Sequence, residues 1–256
     1  MGPLERLLEG WSRLRGWYPV EMAGSAYHCD PDHISFWEKV NREAWEPQTL
    51  AVLGRLLKPG TVYCDIGAWI GPTVLYAARR CDKVFCLEPD RVAYMYLLQN
   101  LKLNKLENVL PFNLALSAHD ALGRMASPRG KRGDSMTSLL KPDGAAGMEV
   151  LCLSWPTWLG LAGMPVFGVI KMDIEGGEFS LLPAMAEYLA TLTPALYLSL
   201  HPHLLPENER FEAMSRVVAV LQSYGTILDE SGKRQELSSL LEAQALHAAG
   251  TYLLLP

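Results

Sequence analysis

The sequence predicts an α/β fold on a mostly parallel sheet with an antiparallel C-terminal strand, and three observations carry that prediction. The first is the stretch Val62-Tyr63-Cys64-Asp65-Ile66-Gly67-Ala68-Trp69-Ile70-Gly71, an apolar run that ends in an acid and is followed by two glycines four apart. A buried parallel strand turning tightly into a helix has this pattern. The second is Val84-Phe85-Cys86-Leu87-Glu88-Pro89-Asp90, again apolar and again ending in an acid. The third is the alternation of such runs with helix-compatible segments along most of the chain.

Composition bounds the reading. The 256 residues can bury one core, or one core with a small cap. A hydrophobic share of 49% and a charged share of 20% are ordinary for a soluble globular protein. The net charge of −5 lacks the basic footprint of a general nucleic-acid binder, so no nucleic-acid partner is expected. The five cysteines (Cys29, Cys64, Cys81, Cys86 and Cys152) are scattered and form no C-x-x-C pair, which reads as buried thiols of a reducing, cytoplasmic setting. Residues 1–10 lack the apolar core of a signal peptide. No run reaches the roughly 18 apolar residues that a bilayer requires, so no membrane partner is expected.

In chain order, Leu4, Leu7, Leu8, Trp11 and Leu14 recur at helical spacing and predict an amphipathic first helix packed on its own domain. Residues 16–31, with Pro19, Gly24 and Pro31, read as irregular. A second helix starts after Asp32 and runs through Phe36, Trp37, Val40 and Trp45. Residues 47–57 form a helix with Leu50, Leu53, Leu56 and Leu57 inward, stopped by Lys58-Pro59-Gly60. After the first strand comes a helix at 72–80. The second strand leads to a helix at Arg91–Leu103 and a third strand at 109–114.

Residues 119–147 break the rhythm. Five glycines and the basic residues Arg124, Arg129, Lys131 and Arg132 predict a hairpin or extended insertion tipped by a mobile loop. A solvated loop is its default reading, and a site for an anionic acceptor the alternative. A strand at 150–153 and a helix at Trp155–Leu161 follow, the helix opened by Ser154 and Pro156. Strands at 166–172 and Ala195–Leu200 complete the parallel set. A helix at 207–224, a strand at Thr226–Asp229, a helix at 237–247 and a strand at 251–255 end the fold.

Ligands of open α/β sheets gather at the carboxyl ends of the strands, where this reading puts Asp65, Glu88, Asp173 and His201. The first turn is not the dinucleotide fingerprint G-x-G-x-x-G but D-x-G-x-x-x-G. A pyrophosphate needs bare backbone N–H groups at a helix start. An acid with spaced glycines suits instead a ligand that carries an amine and a sulfonium. Glu88, about twenty residues beyond Gly67, is placed to accept both hydroxyls of a ribose.

These motifs resemble the class I S-adenosyl-L-methionine-dependent methyltransferases. Ile170-Lys171-Met172-Asp173-Ile174-Glu175-Gly176-Gly177-Glu178 narrows the likeness to the FkbM family, whose hallmark resembles K-x-D-x-E-G-x-E. The resemblance covers residues 46–203. Gly133-Asp134-Ser135-Met136-Thr137-Ser138-Leu139-Leu140 and Ser199-Leu200-His201-Pro202-His203 look like signatures of a subgroup. Where related proteins carry an acid, Ser154-Trp155-Pro156-Thr157 stands here, a departure that leaves that pocket wall open.

The resemblance implies a Rossmann-like sheet in a cofactor-binding domain at 47–256 and an N-terminal helical cap at 1–46 that covers the site. It implies S-adenosyl-L-methionine as cofactor. Asp65, Gly67, Ala68 and Gly71 then shape its methionine side, and Glu88, with Pro89 beside it, holds the ribose. Ser117 and Leu116 approach the adenine, while Glu46 and Asp173 complete the cofactor set; Asp134 and Ser135 reach the same site.

For catalysis, His201 is the candidate base because its unperturbed pKa lies near neutrality, with Asp173 and Glu175 as substitutes or orienting groups. Glu178 reads equally as a charge complement to a helix start. Asp173, Glu175 and His201 have the chemistry to bind a divalent cation, but without a dense ligand motif no metal is expected. The expected reaction is O-methylation of a small-molecule acceptor, a sugar, nucleotide-sugar or other secondary metabolite. N-methylation of an amine or peptide, and a non-catalytic nucleoside-binding domain, are the alternatives.

Overall fold

A computed structural model describes residues 3–140 and 147–256, with backbone alone for residues 3–8. The chain opens with α1 (Pro3–Arg15), a hairpin of β1 (Tyr18–Met22) and β2 (Ser25–Cys29), and α2 (Ile34–Asn41). Then come α3 (Pro47–Leu56), β3 (Val62–Ile66), α4 (Pro72–Ala78), β4 (Lys83–Leu87), α5 (Arg91–Leu103) and β5 (Val109–Phe112). The insertion supplies β6 (Ala115–Ser117), β7 (Ala121–Met125) and β8 (Met148–Ser154), followed by α6 (Trp155–Leu161) and β9 (Val169–Met172). The rest is α7 (Glu178–Ala184), α8 (Ala186–Leu192), β10 (Ala195–Leu200), α9 (Arg210–Val220), β11 (Thr226–Asp229), β12 (Arg234–Gln235), α10 (Ala243–His247) and β13 (Gly250–Leu255).

Eight strands form the main sheet in the order β12-β11-β13-β10-β9-β3-β4-β5. Strands β10, β9, β3, β4 and β5 pair in parallel, and β13 runs antiparallel between β10 and β11. This is the expected mostly parallel α/β sheet with its antiparallel C-terminal strand. From β3 the chain builds outward through β4 to β5, then returns to lay β9 on the other side of β3. The crevice between β3 and β9 is therefore the switch point where such sheets bind ligands.

Strand alternation sorts the side chains. Cys64, Ile66, Ile170, Met172, Leu196 and Leu198 enter one core together with Trp155, Trp158, Phe167 and Leu181. The opposite face carries Tyr63, Asp65, Lys171 and Tyr197, and its apolar part packs on α4, α5 and the N-terminal segment.

Several boundaries differ from expectation. Residues 16–31 are not irregular but contain the β1–β2 hairpin, whose Tyr18, Val20, Met22 and Tyr27 are buried against the same core as Leu75 and Leu97. The N-terminal region is thus a helix–hairpin–helix segment rather than helices alone. Trp11 and Leu14 are 65% and 82% exposed while Ser12 is buried, so these two residues of the expected apolar stripe do not pack on the domain. The turn at Gly16, whose N–H donates to Ser12 O at 2.9 Å, presents the Ser12 side inward instead. The side chains of Leu4, Leu7 and Leu8 lie outside the described residues.

Helix α2 ends at Asn41, and Trp45 packs edge-on to Phe36 from the turn beyond it. The third strand stops at Phe112 because Asn113 turns away, donating its amide to the carbonyls of Glu88 and Pro89 at 2.8 and 3.1 Å. Residues 115–117 then join β8 and β7 in a second, three-stranded sheet. The antiparallel β7–β8 pair is the expected insertion hairpin, and the tip expected to be mobile falls partly on residues 141–146, outside the described residues. Strand β9 begins at Val169, since Val166 is exposed. The helices expected at 207–224 and 237–247 keep shorter α-helical spans, α9 and α10, with 3-10 turns taking up adjoining residues.

One buried acid ties the N-terminal segment to the fold. Asp30 accepts from the backbone of Asp32 and His33, from Trp37 Nε1 at 3.1 Å and from Asn100 Nδ2 at 3.2 Å. Burial pushes its pKa up, but the bonds from His33, Trp37 and Asn100 outweigh burial and hold it below the ordinary carboxylate range. Asp30→Ala leaves the Trp37 and Asn100 donors without this partner in a dry site. Urea denaturation is expected to show a loss of about 3 kcal/mol, and a change under about 0.5 kcal/mol refutes the anchor.

Candidate active site

Two clefts open at the carboxyl ends of the central strands. The first, about 620 Å³ with its open mouth, is lined by Gly67, Trp69, Glu88, Leu114, Leu116, Asp173 and Glu175 among others. The second, about 810 Å³, is polar: Thr49, Tyr197, Ser199, Thr251, Lys171 and His201 line it with Glu46, Asp173 and Glu175. Asp173 and Glu175 belong to both walls.

The first cleft is shaped by one tight turn. Gly67 has φ +92°, and a Cβ there meets the Asp173 carbonyl oxygen at 1.9 Å, so only glycine lets β3 and β9 approach this closely. The N–H groups of Gly67 and Ala68 donate to Leu87 O at 3.1 and 3.0 Å and are already spent inside the sheet. Trp69, at φ +49°, reaches outward: its backbone N–H donates to Glu88 Oε2 at 2.8 Å and its indole Nε1 to Gly133 O at 2.8 Å.

Glu88 also accepts from Asp90 N at 2.7 Å. Burial drives its pKa up to about 8 against the pull of the Asp90 and Trp69 amides, and the charges of Asp90 and Asp65 add to the rise. The returning insertion closes the cleft with Asp134, Ser135, Thr137 and Leu139. Ser138 locks it down by donating to Glu175 O at 2.6 Å.

The second cleft is a product of strand alternation. Tyr197, Ser199 and His201 follow at i, i+2 and i+4 from β10, Lys171 sits opposite Tyr197, and Thr251 opposite Ser199. Lys171 is nearly buried, with Nζ 3.6 Å from Asp65 Oδ1 and 3.9 Å from Asp173 Oδ2. Burial opposes its charge, but Asp65, Asp173 and Glu46 more than offset that and raise its pKa.

His201 Nδ1 meets Glu178 Oε1 at 2.8 Å, while Nε2 faces Asp173 Oδ1 at 3.7 Å and Glu175 Oε2 at 4.0 Å. Desolvation lowers its pKa, yet Glu178, Asp173 and Glu175 together lift it to about 9. The near-neutral pKa on which the base role of His201 rests is not kept in the fold. Glu175 has φ +51°, and burial raises its pKa although His201 opposes this. Strained backbone at the shared wall aims this carboxylate into the clefts.

A family model described as the methyltransferase FkbM domain matches residues 65–228, more than half of the chain. The chain belongs to the FkbM methyltransferase family. A 63-residue segment is 41% identical to a tRNA (guanine(37)-N(1))-methyltransferase of Batrachochytrium dendrobatidis, covering 23% of this chain and 13% of that protein. The corresponding Mus musculus protein is 38% identical over 74 residues, 27% of this chain and 15% of that one. Among solved structures, methyltransferase FkbM from Methylobacillus flagellatus aligns with 87% of this chain and 53% of its own, at 15% identity and a TM-score of 0.49. The tRNA (uracil-54, C5)-methyltransferase of Pyrococcus abyssi, solved with S-adenosyl-L-homocysteine, aligns with 94% of this chain and 44% of its own, at 12% identity and a TM-score of 0.48. The chain thus spans only a fraction of the curated relatives and about half of the first of these structures.

S-adenosyl-L-methionine is the methyl donor of the FkbM family, and the donor set of the first cleft fits it. Glu88 is a buried carboxylate with acceptor capacity left for ribose hydroxyls, Leu114 and Leu116 offer apolar surface for a base, and Asp173 offers charge for an ammonium. Of the sequence-predicted residues, Gly67, Glu88, Pro89, Leu116, Asp134, Ser135, Asp173 and Glu175 line this cleft. Glu46, in the left-handed region at φ +40°, lines the polar cleft instead.

Asp65, Ala68, Gly71 and Ser117 line neither cleft. Asp65 is fully buried beneath the turn, where Oδ2 accepts from Thr73 Oγ1 at 2.6 Å and Tyr63 OH at 3.0 Å. Gly71 begins α4 and makes room for Leu97, whose Cδ1 lies 2.5 Å from where a Cβ would stand. Ser117 turns onto His119 O at 2.8 Å.

The sequence reading gives no role to Trp69, Tyr197 and Thr251. Only Lys171 left a readable signal, a charged residue inside the apolar strand Val169-Ile170-Lys171-Met172.

The raised Glu88 pKa has a thermodynamic consequence. The folded chain keeps this proton up to about pH 8, whereas the unfolded chain releases it near the ordinary glutamate value of 4.5. The folded state therefore binds more protons in that window, and stability falls as pH rises through it. Relative to Glu88→Gln, which exchanges no proton, the cofactor-free wild type is expected to lose up to about 1.4 kcal/mol per pH unit between about pH 5 and 8. Parallel urea-stability curves for the two proteins refute the assignment.

Proposed function

We propose that this chain transfers the methyl group of S-adenosyl-L-methionine to a hydroxyl oxygen of a polar small molecule, a sugar or a comparably hydroxylated metabolite. One observation carries the reading: a hydroxyl-lined cleft meets the cofactor cleft at the shared wall of Asp173 and Glu175. The hydroxyls stand in pairs, Thr49 Oγ1 with Tyr197 OH at 3.0 Å and Ser199 Oγ with Thr251 Oγ1 at 3.2 Å. Each pair can exchange one partner for an acceptor hydroxyl at little cost, since every hydroxyl both donates and accepts. The acid-rich lining and net charge of −5 favour such an acceptor over a polyanion such as RNA.

The cofactor, when bound, supplies an electrophilic methyl on sulfur. The chain positions everything else. Glu88 and the Trp69 turn fix the nucleoside side, and the polar cleft holds the acceptor oxygen in line with the methyl, where orientation supplies much of the rate. As the oxygen–methyl bond forms and the sulfur–methyl bond breaks, the hydroxyl proton passes to a carboxylate of the shared wall, for which Glu175 is placed. Five buried free thiols suit a cytoplasmic setting, and no described helix is long and apolar enough to cross a membrane.

Calorimetry with S-adenosyl-L-homocysteine, followed by transfer of labelled methyl to a panel of sugars, nucleotide-sugars and amines, tests the reading. Wild type is expected to bind with micromolar affinity, about −8 kcal/mol, and Glu88→Ala to lose that binding. Glu175→Gln is expected to keep it while turnover falls about 10²–10⁴-fold. A folded wild type that binds no cofactor product refutes the reading, and transfer to amines alone moves the acceptor atom to nitrogen.

A further inference from the structure

Neither cleft uses the basic residues of the insertion. Arg124 and Arg132 line a third hollow instead, about 1050 Å³ with its open mouth, together with Arg91 of α5. It adjoins the cofactor cleft at Pro89, which lines both. Among its described lining residues three arginines stand against a single acid, Glu149, in a chain whose net charge is −5.

Three parts of the fold bring these guanidiniums together. Arg124 alternates with Met125, which is buried on the other side of β7, and it stands opposite Glu149 on β8. Arg91 and Arg132 are joined through their neighbours, since the Asp90 carboxylate accepts from Gly133 N at 2.5 Å. Gly133, at φ +77°, fits tightly there: a Cβ would lie 2.9 Å from Val92 Cγ1. The same strap puts Asp134 and Ser135 on the cofactor cleft and Arg132 on the hollow.

This gathering is unfavourable without a ligand. Arg91 is the first residue of the 13-residue α5, where the helix dipole disfavours a cation. Asp90 offers it little relief, because that acid is fully buried and its oxygens accept from the backbone of Val92 and Gly133. Among the described residues neither Arg91 nor Arg132 has a salt-bridge partner, whereas Arg129 on the same loop is paired with Asp134 at 3.3 Å. Phosphate groups are the natural counter-charge, because a guanidinium can give each of them two parallel N–H bonds. Leu151, 47% exposed, and Met148 add an apolar side against which the organic part of an ester can lie. A concave hollow with this mixed lining favours a compact ligand over a nucleic-acid strand, which follows an extended basic groove.

We propose that this hollow binds a nucleotide-sized phosphate ester, with Arg91, Arg124 and Arg132 on its adjacent phosphate groups and the apolar side on its organic part. The site is separate from both clefts and does not depend on the methyl-donor reading.

The test is calorimetric titration of the full chain with inorganic tripolyphosphate at physiological salt. Wild type is expected to bind one equivalent. Arg91→Gln and Arg132→Gln should each weaken binding about tenfold or more, while Lys131→Gln, a cation outside the hollow, should leave it within about twofold. Saturating S-adenosyl-L-homocysteine should not displace the probe. A nucleoside diphosphate should bind Glu88→Ala, whose cofactor cleft has lost its ribose acceptor, at least as tightly as tripolyphosphate does.

No tripolyphosphate binding by wild type, equal weakening by Lys131→Gln, displacement by S-adenosyl-L-homocysteine, or failure of the diphosphate to bind overturns the proposal. Binding of a single-stranded RNA oligonucleotide by a chain that ignores both small probes overturns it as well. The wild-type titration decides the matter even where a variant fails to fold.

Discussion

A buried ammonium governs the strand ends. Lys171 stands in the middle of the central sheet, opposite Asp65 on β3 and Tyr197 on β10 and between the buried Ile170 and Met172 along β9. Taking an ammonium out of water costs several kcal/mol unless it is paired, and here Asp65 and Asp173 flank it at 3.6 and 3.9 Å. The pairing divides labour between two similar acids. Asp65 turns inward, bound to Thr73 and Tyr63, while Asp173 stays 30% exposed at the meeting of the clefts. Without the lysine, the fully buried Asp65 would have no counter-charge among the described residues, and Asp173 would be left to His201 Nε2 at 3.7 Å.

Around this pair the cofactor cleft is assembled from parts of the chain that are far apart in sequence, and they converge on Trp69. Phe36 of the N-terminal segment packs edge-on against its ring, with centroids 4.6 Å apart. Glu88 takes its backbone amide and Gly133 of the insertion takes its indole proton. Asp90 then holds Gly133 by its backbone N–H, so the start of α5 and the insertion are joined at the same place. The N-terminal segment therefore bears on the cleft by buttressing the turn, through Phe36 and the Asp30–Asn100 contact.

What the sequence made legible follows from the range of the interactions. The strand–turn–helix at 62–78, the acid Glu88 and the Lys171–Glu178 motif are local patterns, and the structure keeps them as strand ends at one crevice. Asp65 misled because a strand-end acid carries the same signature whether it meets a ligand or a buried lysine. Gly71 misled likewise, since a glycine needed for Leu97 looks in sequence like one needed for a ligand. The hairpin at 18–29 was hidden because its alternation is interrupted by Pro19 and by the Ala23-Gly24 turn. The polar cleft was illegible for a different reason: its hydroxyl pairs join residues 148 and 52 positions apart, and no periodicity marks them.

The charges at the shared wall obey a further constraint. A sulfonium donor loses its positive charge as the methyl leaves, so acids left uncompensated beside it stabilise the ground state more than the transition state and slow the reaction. The structure counters this locally. Lys171 offsets Asp65 and draws on Asp173, and protonated His201 offsets Glu178. Glu175 is the acid of this wall with the least compensation, since its nearest cationic partner is His201 Nε2 at 4.0 Å, a nitrogen shared with Asp173. A group that must accept a proton has to be one that its neighbours leave poorly neutralised. The compensating network of Lys171 and His201 is what allows the remaining acids to stand there at all.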